Sequence, residues 1–175
     1  MARYDAYNSE CLVFSFKDGL LARIAHDLKM QVERFSIELD EESRKIQATF
    51  DPSSLQVVCA QIDGEDDPSA LSDGDKKKIH DNITKDVLRS RKHPEIRFES
   101  TEVVSQGEGY SIEGQLQLHG RSRAIQVDVR PEGGRWVTQV TIHQPDFGIK
   151  PYTAALGALK IKPDVRVQVS VPRES

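Results

Sequence analysis

The sequence predicts an all-β protein made of antiparallel strands, with one long and one short helix. Apolar and polar residues alternate along most of the 175 residues, which is the period of a strand with one buried face. Only one segment, at about residues 73–89, has apolar residues at helical spacing. About eight strands separated by turns account for the rest. Without a repeat or a linker, a single domain over residues 3–173 is expected.

The first half of the chain contains four alternating segments followed by one more continuous apolar strand. The change of parity after Val32 predicts a bulge or bend near Arg34. Asp18-Gly19 predicts a turn, and the run Asp51–Ser54 interrupts the pattern before the strand at 55–62. The alternating apolar residues are Leu12, Phe14 and Phe16, then Leu28, Met30 and Val32, then Phe35, Ile37 and Leu39, then Ile46, Ala48 and Phe50.

The predicted long helix follows a polar loop. Ser72 can cap its start, with Asp75 three residues later as a capping box. Its apolar stripe should pack against the sheet and consists of Ile79, Ile83, Val87 and Leu88.

The second half of the chain returns to alternation. Its turns are predicted at 119–122 and at 131–134, and its last strand alternates four valines with polar residues. Many short strands with one apolar face form a barrel or a sandwich. A closed barrel has the advantage that no sheet edge is left to aggregate.

Three motifs, in order, resemble those of one family. His93–Thr101 reads His-Pro-Glu-Ile-Arg-Phe-Glu-Ser-Thr and resembles the Tyr-Pro-x-Ile-x-Phe-x-Ser signature of YceI-like proteins. Gly114–Gly120 is similar to that family's Gly-x-Leu-x-x-His-Gly hairpin, and Asp146–Ile149 to its Asp-Phe-Gly-Ile motif. His26-Asp27-Leu28 and the helix residues 83–88 also fit, so the resemblance spans nearly the whole chain.

The resemblance implies an extended, eight-stranded, lipocalin-like antiparallel barrel. Such proteins hold a long isoprenoid chain, for example a polyprenyl phosphate or a quinone precursor, in an apolar channel and are not known for catalysis. The chain departs from the family pattern at His143 and Gln144, where an Asn-Arg pair is common, and at His93, where an aromatic residue is usual. These departures concern the head group of the ligand more than the fold.

The function expected from this resemblance is non-catalytic binding or carriage of a long amphipathic lipid, an isoprenoid or a fatty ligand, which would contact the apolar face of the sheet. A plain packed core is the alternative, because an eight-stranded barrel can be filled by its own side chains. Burial of each CH₂ of a guest contributes about 0.8 kcal/mol, less the cost of ordering the chain. The residues expected to point inward or to contact the lipid are Phe14, Phe16, Phe50, Phe98, Leu116, Leu118, Trp136, Ile142 and Phe147.

Catalysis has no complete residue set in this sequence. None of the five histidines has the spacing of a zinc motif, Cys11 and Cys59 fit no metal or redox motif, and no cofactor is expected. The alternative function is an enzyme on an apolar substrate with His119 or His143 as base. A second alternative function is that of a stress-related interaction protein with a filled barrel. Candidate cations for an anionic head group are Arg97, Lys150, Lys160 and Lys162.

Charge and hydropathy narrow the partners and the location. A net charge of −4 argues against a general nucleic-acid binder. No apolar run approaches the roughly 18 residues of a membrane helix, and the first residues carry no signal-peptide pattern, so the cytoplasm is expected. A periplasmic protein whose signal peptide has been removed is the alternative. The oligomeric state is open, with a homodimer among the alternatives.

Overall fold

A computed structural model describes residues 1–18, 26–154 and 159–173. Two antiparallel sheets contain the strands. The large sheet has the order β1-β5-β6-β9-β10-β11-β12-β15-β2-β4-β7-β8, and the small sheet has the order β13-β14-β3. In chain order the strands are β1 (Ala2–Asp5), β2 (Glu10–Ser15), β3 (Lys17–Asp18), β4 (Asp27–Val32), β5 (Phe35–Leu39), β6 (Ile46–Phe50), β7 (Leu55–Ile62), β8 (Glu65–Asp67), β9 (Ile96–Gln106), β10 (Gly109–Leu118), β11 (Arg121–Glu132), β12 (Arg135–His143), β13 (Thr153–Ala154), β14 (Leu159–Ile161) and β15 (Asp164–Pro172).

The predicted all-β antiparallel architecture is confirmed, but the strand count of eight is not. In the described part of the chain the large sheet alone has twelve strands. One reason is that bends divide long segments. Only Glu33 and Arg34 separate β4 from β5, and residues 51–54 separate β6 from β7. The Glu33 N–H donates to the Ser54 carbonyl (3.2 Å) and the Asp51 N–H to the Arg34 carbonyl (3.0 Å), so the two segments bend together. The predicted bend near Arg34 is confirmed.

The helix begins where the sequence predicts. α1 spans Asp73–Asn82, and the Ser72 hydroxyl accepts from the Asp75 N–H (3.1 Å) while Asp75 Oδ2 accepts from the Ser72 N–H (3.0 Å). The predicted capping box is therefore confirmed. The expected helix to residue 89 is not one α-helix, because a wider π-helical turn covers Ile83–Val87. The Thr84 hydroxyl donates to the His80 carbonyl (3.0 Å), a side-chain bond that bends helices.

The helical segment packs against the sheet through the predicted stripe. Ile79, Ile83 and Leu88 contact a buried cluster centred on β2, β4 and β7, while Val87 and Leu88 contact a second cluster on β10 and β12. Phe35 of β5 belongs to the first cluster and Phe50 of β6 packs against it, with the centres of the two rings 5.9 Å apart. The large sheet therefore curls until strands that are distant in its order share a core.

The hairpin turns follow the predicted positions. His119 and Gly120 both have positive φ (54° and 75°), as the two central residues of a tight β-hairpin turn require. Gly133 and Gly134 likewise have φ of 57° and 76° in the turn between β11 and β12. A short 3₁₀ turn, Pro52–Ser54, precedes β7, and a second, Gln144–Phe147, follows β12. The predicted turn at Asp18-Gly19 extends beyond the described residues.

Candidate functional site

Two cavities lie inside the curled sheet. The first compartment has a volume of about 460 Å³ and the second about 560 Å³. Because seven side chains line both, the compartments adjoin, and we call the shared zone the waist and the whole space the channel. The waist residues are Val13, Val32, Phe50, Ile96, Leu118, Ile142 and Val167.

The order of residues along β2 shows how the two compartments are arranged relative to the strands. Cys11 lines the first compartment, Val13 the waist and Ser15 the second compartment. On β15 the same order is given by Val169 and Val167, with Val165 in the second compartment only. Alternate residues of a strand are about 6–7 Å apart on one face. The two compartments therefore follow each other along the strands.

The first compartment is almost wholly apolar. Valines and leucines of β9 to β12 and β15 line it, together with the Tyr110 and Trp136 rings, which meet edge to face with centroids 5.4 Å apart. Its charged lining residues are Glu41 and Arg44, both in the turn between β5 and β6. This compartment suits a hydrocarbon chain, since burial of apolar surface is the interaction that it offers.

The second compartment lies under the helix. Ile79, Ile83 and Leu88 line one side, and Ile149 and Tyr152 line another. It has more polar groups than the first compartment does. Its polar and charged lining residues are Ser15, His26, Asp51, Asp75, Lys78, Asn82, Gln144 and Tyr152.

Six of the nine predicted lining residues surround the channel. Phe98, Leu116 and Trp136 line the first compartment only, while Phe50, Leu118 and Ile142 lie at the waist. Gly114 makes room for one of them, because a side chain there would overlap the Phe98 ring. The structure brings these six residues together from β6, β9, β10 and β12.

The inward orientation predicted for Phe14 and Phe16 is wrong. Val13 is paired with Met30 and Val167, and these are the side chains that face the channel. Phe14 is buried on the other face, where the Arg166 guanidinium lies 4.8 Å from the centre of its ring and 5.6 Å from that of Phe16. The run Leu12-Val13-Phe14 is apolar on both faces, so alternation alone cannot say which face is inside.

Phe147 also lies away from both compartments. It belongs to the 3₁₀ turn after β12, is 3% exposed and is part of the buried cluster with Leu116, Leu118 and Ile142. It therefore packs among lining residues without lining the channel itself.

The waist valines are the main lining residues that sequence reasoning missed. The predicted alternation of Leu12, Phe14 and Phe16 leaves Val13 on the opposite face of its strand. Val167 belongs to the regular alternation of Val165 to Val171 with Arg166, Gln168 and Ser170, which was the signal that could have identified it.

The two histidines considered as catalytic bases are not at the channel. His143 Nδ1 lies 2.6 Å from Asp164 Oδ1 on exposed side chains. The His119 ring lies against that of His93, with centroids 4.4 Å apart. Burial lowers the pKa of His119, and the neighbouring His93 lowers it further. Neither residue lines a compartment, so neither is placed to act as a base on a substrate held there.

The cations proposed for an anionic head group do not line the channel either. Lys150, Lys160 and Lys162 are outside both linings, and Arg97 lies beside Glu95, with 3.2 Å between Nε and Oε1. The basic side chains that do line it, apart from His26, are Arg44 in the first compartment and Lys78 in the second.

The thiols and the carboxylates form no metal centre in the described part of the chain, where no three His, Cys, Asp or Glu side chains come together. Cys11 and Cys59 are both buried and free. Burial raises the pKa of the Cys11 thiol to about 12, and the charge of Glu10 contributes. Cys11 therefore presents a neutral thiol to the first compartment at ordinary pH.

A curled antiparallel sheet around an apolar channel defines the chain as a barrel-like β protein with an interior binding space. The chain belongs to the YceI-like family, since the family model of the YceI-like domain matches residues 10–172. A search of curated proteins by sequence gave no match. Within residues 1–18, 26–154 and 159–173, no helix has the length and hydropathy to span a membrane.

Solved structures share the fold at low sequence identity. Burkholderia cenocepacia BcnA is 16% identical, with a TM-score of 0.64 over 95% of this chain and 97% of that chain. A polyisoprenoid binding domain from Saccharophagus degradans, implicated in plant cell wall breakdown, is 14% identical, with a TM-score of 0.58 over 93% and 91%. The YCEI protein of Campylobacter jejuni is 15% identical, with a TM-score of 0.54 over 85% and 86%.

Proposed function

We propose that this protein binds and carries a long-chain amphipathic lipid, an isoprenoid, in its channel and does not catalyse a reaction. The observation that carries the proposal is the pair of adjoining compartments with a shared apolar waist. The two cavities favour this proposal over a barrel filled by its own side chains. Membership of the YceI-like family and the similarity to a polyisoprenoid binding domain support the choice of ligand.

The energetics favour a chain over a compact ligand. The compartments follow each other along the strands, so an extended or gently bent chain fills both. At about 0.8 kcal/mol for each buried CH₂, a prenyl chain of several units gains a large gross free energy. Part of this gain offsets the loss of chain and rotational freedom.

We also propose that the sheet works as an eight-stranded, lipocalin-like barrel. β2 pairs with β4, the chain continues from β4 through Glu33 and Arg34 into β5, and β5 pairs with β6. If β4–β5 and β6–β7 are each counted as one bent strand, the ring is completed by β9, β10, β11, β12, β15 and β2. A closed ring would explain how the channel is screened from solvent along its length.

Lipid extraction tests the function directly. The full chain, purified without added lipid, is examined by native mass spectrometry and its extract by lipid mass spectrometry. A prenyl lipid in near-stoichiometric amount is expected. The proposal fails if the purified protein carries no chain-like lipid and also takes up none from added phytol, a branched prenyl alcohol.

Four further expectations stay predictions. As a single domain, residues 3–173 should melt in one transition. Cell fractionation should find the protein in the cytoplasm, and size-exclusion chromatography should decide whether it forms a homodimer. No metal or organic cofactor should be needed. A stoichiometric metal ion that survives dialysis against a chelator would contradict the last expectation.

A further inference from the structure

Ser15 is an unusual member of the channel lining. It is 6% exposed, yet its hydroxyl oxygen is buried and has no hydrogen-bond partner within the described residues. It is paired in register with Leu28, and the next inward residue on β2 is Val13 at the waist. Ser15 thus lines the second compartment two residues further along β2 than the waist residue Val13.

An unpaired buried hydroxyl is unfavourable for the protein alone. Most buried polar side chains have a partner, because the group has lost its bonds to water. A hydroxyl can both donate and accept, so it matches either an alcohol or a carbonyl of a ligand. With apolar neighbours along and across the strands, the atom that can satisfy it is one inside the channel.

The charges around the second compartment indicate which ligand group this is. The acidic and basic residues of its lining are His26, Asp51, Asp75 and Lys78. Asp51 accepts from Arg34 Nε (2.9 Å) and Asp75 belongs to the helix cap, so both carboxylates are already engaged. Lys78 is exposed on α1.

A phosphate beside Ser15 would therefore be a buried charge without a fully buried cation to pair with it, since His26 is only half-buried and Lys78 is exposed. Two carboxylates also line the same compartment. Burial of such a charge is costly. The other buried polar side chain of the compartment, Gln144, already donates its amide to the Lys162 carbonyl (3.3 Å). The compartment thus offers hydrogen bonds to an uncharged group but no strong site for an anion.

We propose that Ser15 binds the uncharged oxygen-bearing end of the lipid, a hydroxyl or a carbonyl, while the chain passes the waist into the first compartment. This inference rests on the proposed function and adds the chemical class of the head group and the direction of the chain. It also assigns the Ser15 hydroxyl as the group that selects this head.

Three probes with one branched chain test the head group: phytol, phytyl monophosphate and phytane. Trp136 is the only tryptophan of the chain and lines the first compartment, so its fluorescence reports chain binding whatever the head is. Phytol should bind at least about tenfold more tightly than phytyl monophosphate. The Ser15→Ala variant should bind phytol about threefold to tenfold more weakly and phytane unchanged.

A stability measurement separates this role from a structural one. The Ser15→Ala variant without ligand should melt no lower than the parent, since it removes an unpaired hydroxyl. Ser111→Ala is the matched control, because Ser111 on β10 lies outside both linings and its hydroxyl already accepts from the Gln126 amide (2.9 Å). This variant should leave the ratio of phytol to phytane affinity unchanged.

The outcomes distinguish the inference from the proposed function. If phytyl monophosphate binds most tightly, or if Ser15→Ala weakens phytol and phytane equally or neither, the assignment of Ser15 is overturned while lipid binding stands. If none of the three probes changes the Trp136 signal or is retained in native mass spectra, both are overturned.

Discussion

Val13 on β2 lies opposite Val167 on β15, and both side chains line the waist where the two compartments meet. Two small β-branched residues at this point keep the channel open. On β15, the neighbouring residues Arg166 and Gln168 point to the outer face of the sheet, where the Gln168 side-chain oxygen accepts from the Gln139 amide (2.9 Å). Val13 and Val167 therefore border the waist without taking part in the hydrogen bonds of the outer face.

Val167→Phe should narrow the waist and shorten the chain that the protein can hold. We expect long prenyl chains to be lost while short ones, which fit one compartment, are retained. Native mass spectrometry with prenyl alcohols of increasing length measures this change. Gln168→Phe adds the same ring on the outer face and should leave the length preference unaltered; a shift of similar size in both variants would contradict a waist at Val167.

The residues that the sequence predicted correctly and incorrectly differ in a physical way. The helix cap at Ser72 and Asp75 is local, so residue types at fixed spacing were sufficient. The inside of β2 is not local. Leu12, Val13 and Phe14 are all apolar, and the pairing of β2 with β4 and β15 decides which of them faces the channel.

The environment of the Ser15 hydroxyl could not be predicted from the sequence. A serine at the end of a strand is ordinary, and it becomes notable only because its hydroxyl has no partner among residues 1–18, 26–154 and 159–173. The strand count failed for a similar reason. The change of parity near Arg34 and the interruption at 51–54 are both visible in the sequence, whereas the hydrogen bonds that join the two bends depend on contacts across the sheet.

Leu116→Trp tests whether the first compartment is open. Leu116 lines it from β10, opposite Phe98 of β9. In an open compartment the larger ring enters free space, so bound lipid should be lost with little change in melting temperature. In a filled core the same change would overpack the interior and cost about 1–3 kcal/mol. Unchanged lipid retention with a large loss of stability would contradict the channel at this position.

Phe14→Ala should separate stability from binding. Phe14 is buried outside the channel under Arg166, so its truncation should lower the free energy of unfolding by about 3–5 kcal/mol. Phytol affinity of the folded fraction should not change, as measured by Trp136 fluorescence below the melting transition. Phe98→Ala, which alters the lining itself, is the comparison and should change the affinity. Equal effects on affinity would place Phe14 in the site after all.

Ile83→Asp tests the docking of the helical segment. Ile83 begins the π-helical turn, packs against the cluster on β2, β4 and β7 and lines the second compartment. A carboxylate there would be partly buried without a partner, and we expect a loss of more than about 2 kcal/mol in urea unfolding. Lys85→Asp puts the same group on the exposed side of the turn and should cost far less. A variant that unfolds like the parent would show that this side chain is not what docks the helix.

Cys11 gives the protein an alkaline limit of stability. Burial raises the pKa of its thiol from 9.0 to about 12 in the folded state, so the folded protein keeps the proton that the unfolded chain loses. The neutral thiol's contribution is fully present below pH 9 and is lost as pH rises towards 12. Stability of the parent should therefore fall more steeply between pH 9 and 11 than that of Cys11→Ala, measured by urea unfolding at each pH.

Alkylation by iodoacetamide provides a second measurement on the same thiol. Only the thiolate reacts readily with iodoacetamide. At pH 8, Cys11 should therefore be alkylated far more slowly in the folded protein than in the urea-unfolded chain, and peptide mapping measures the difference. Cys59 is also buried, and its extent of alkylation is compared with that of Cys11 within each sample. If Cys11 reacts in the folded state as fast as in the unfolded chain, its thiol is not held neutral in the channel. Parallel pH profiles for the parent and Cys11→Ala would exclude it as the source of alkaline destabilisation.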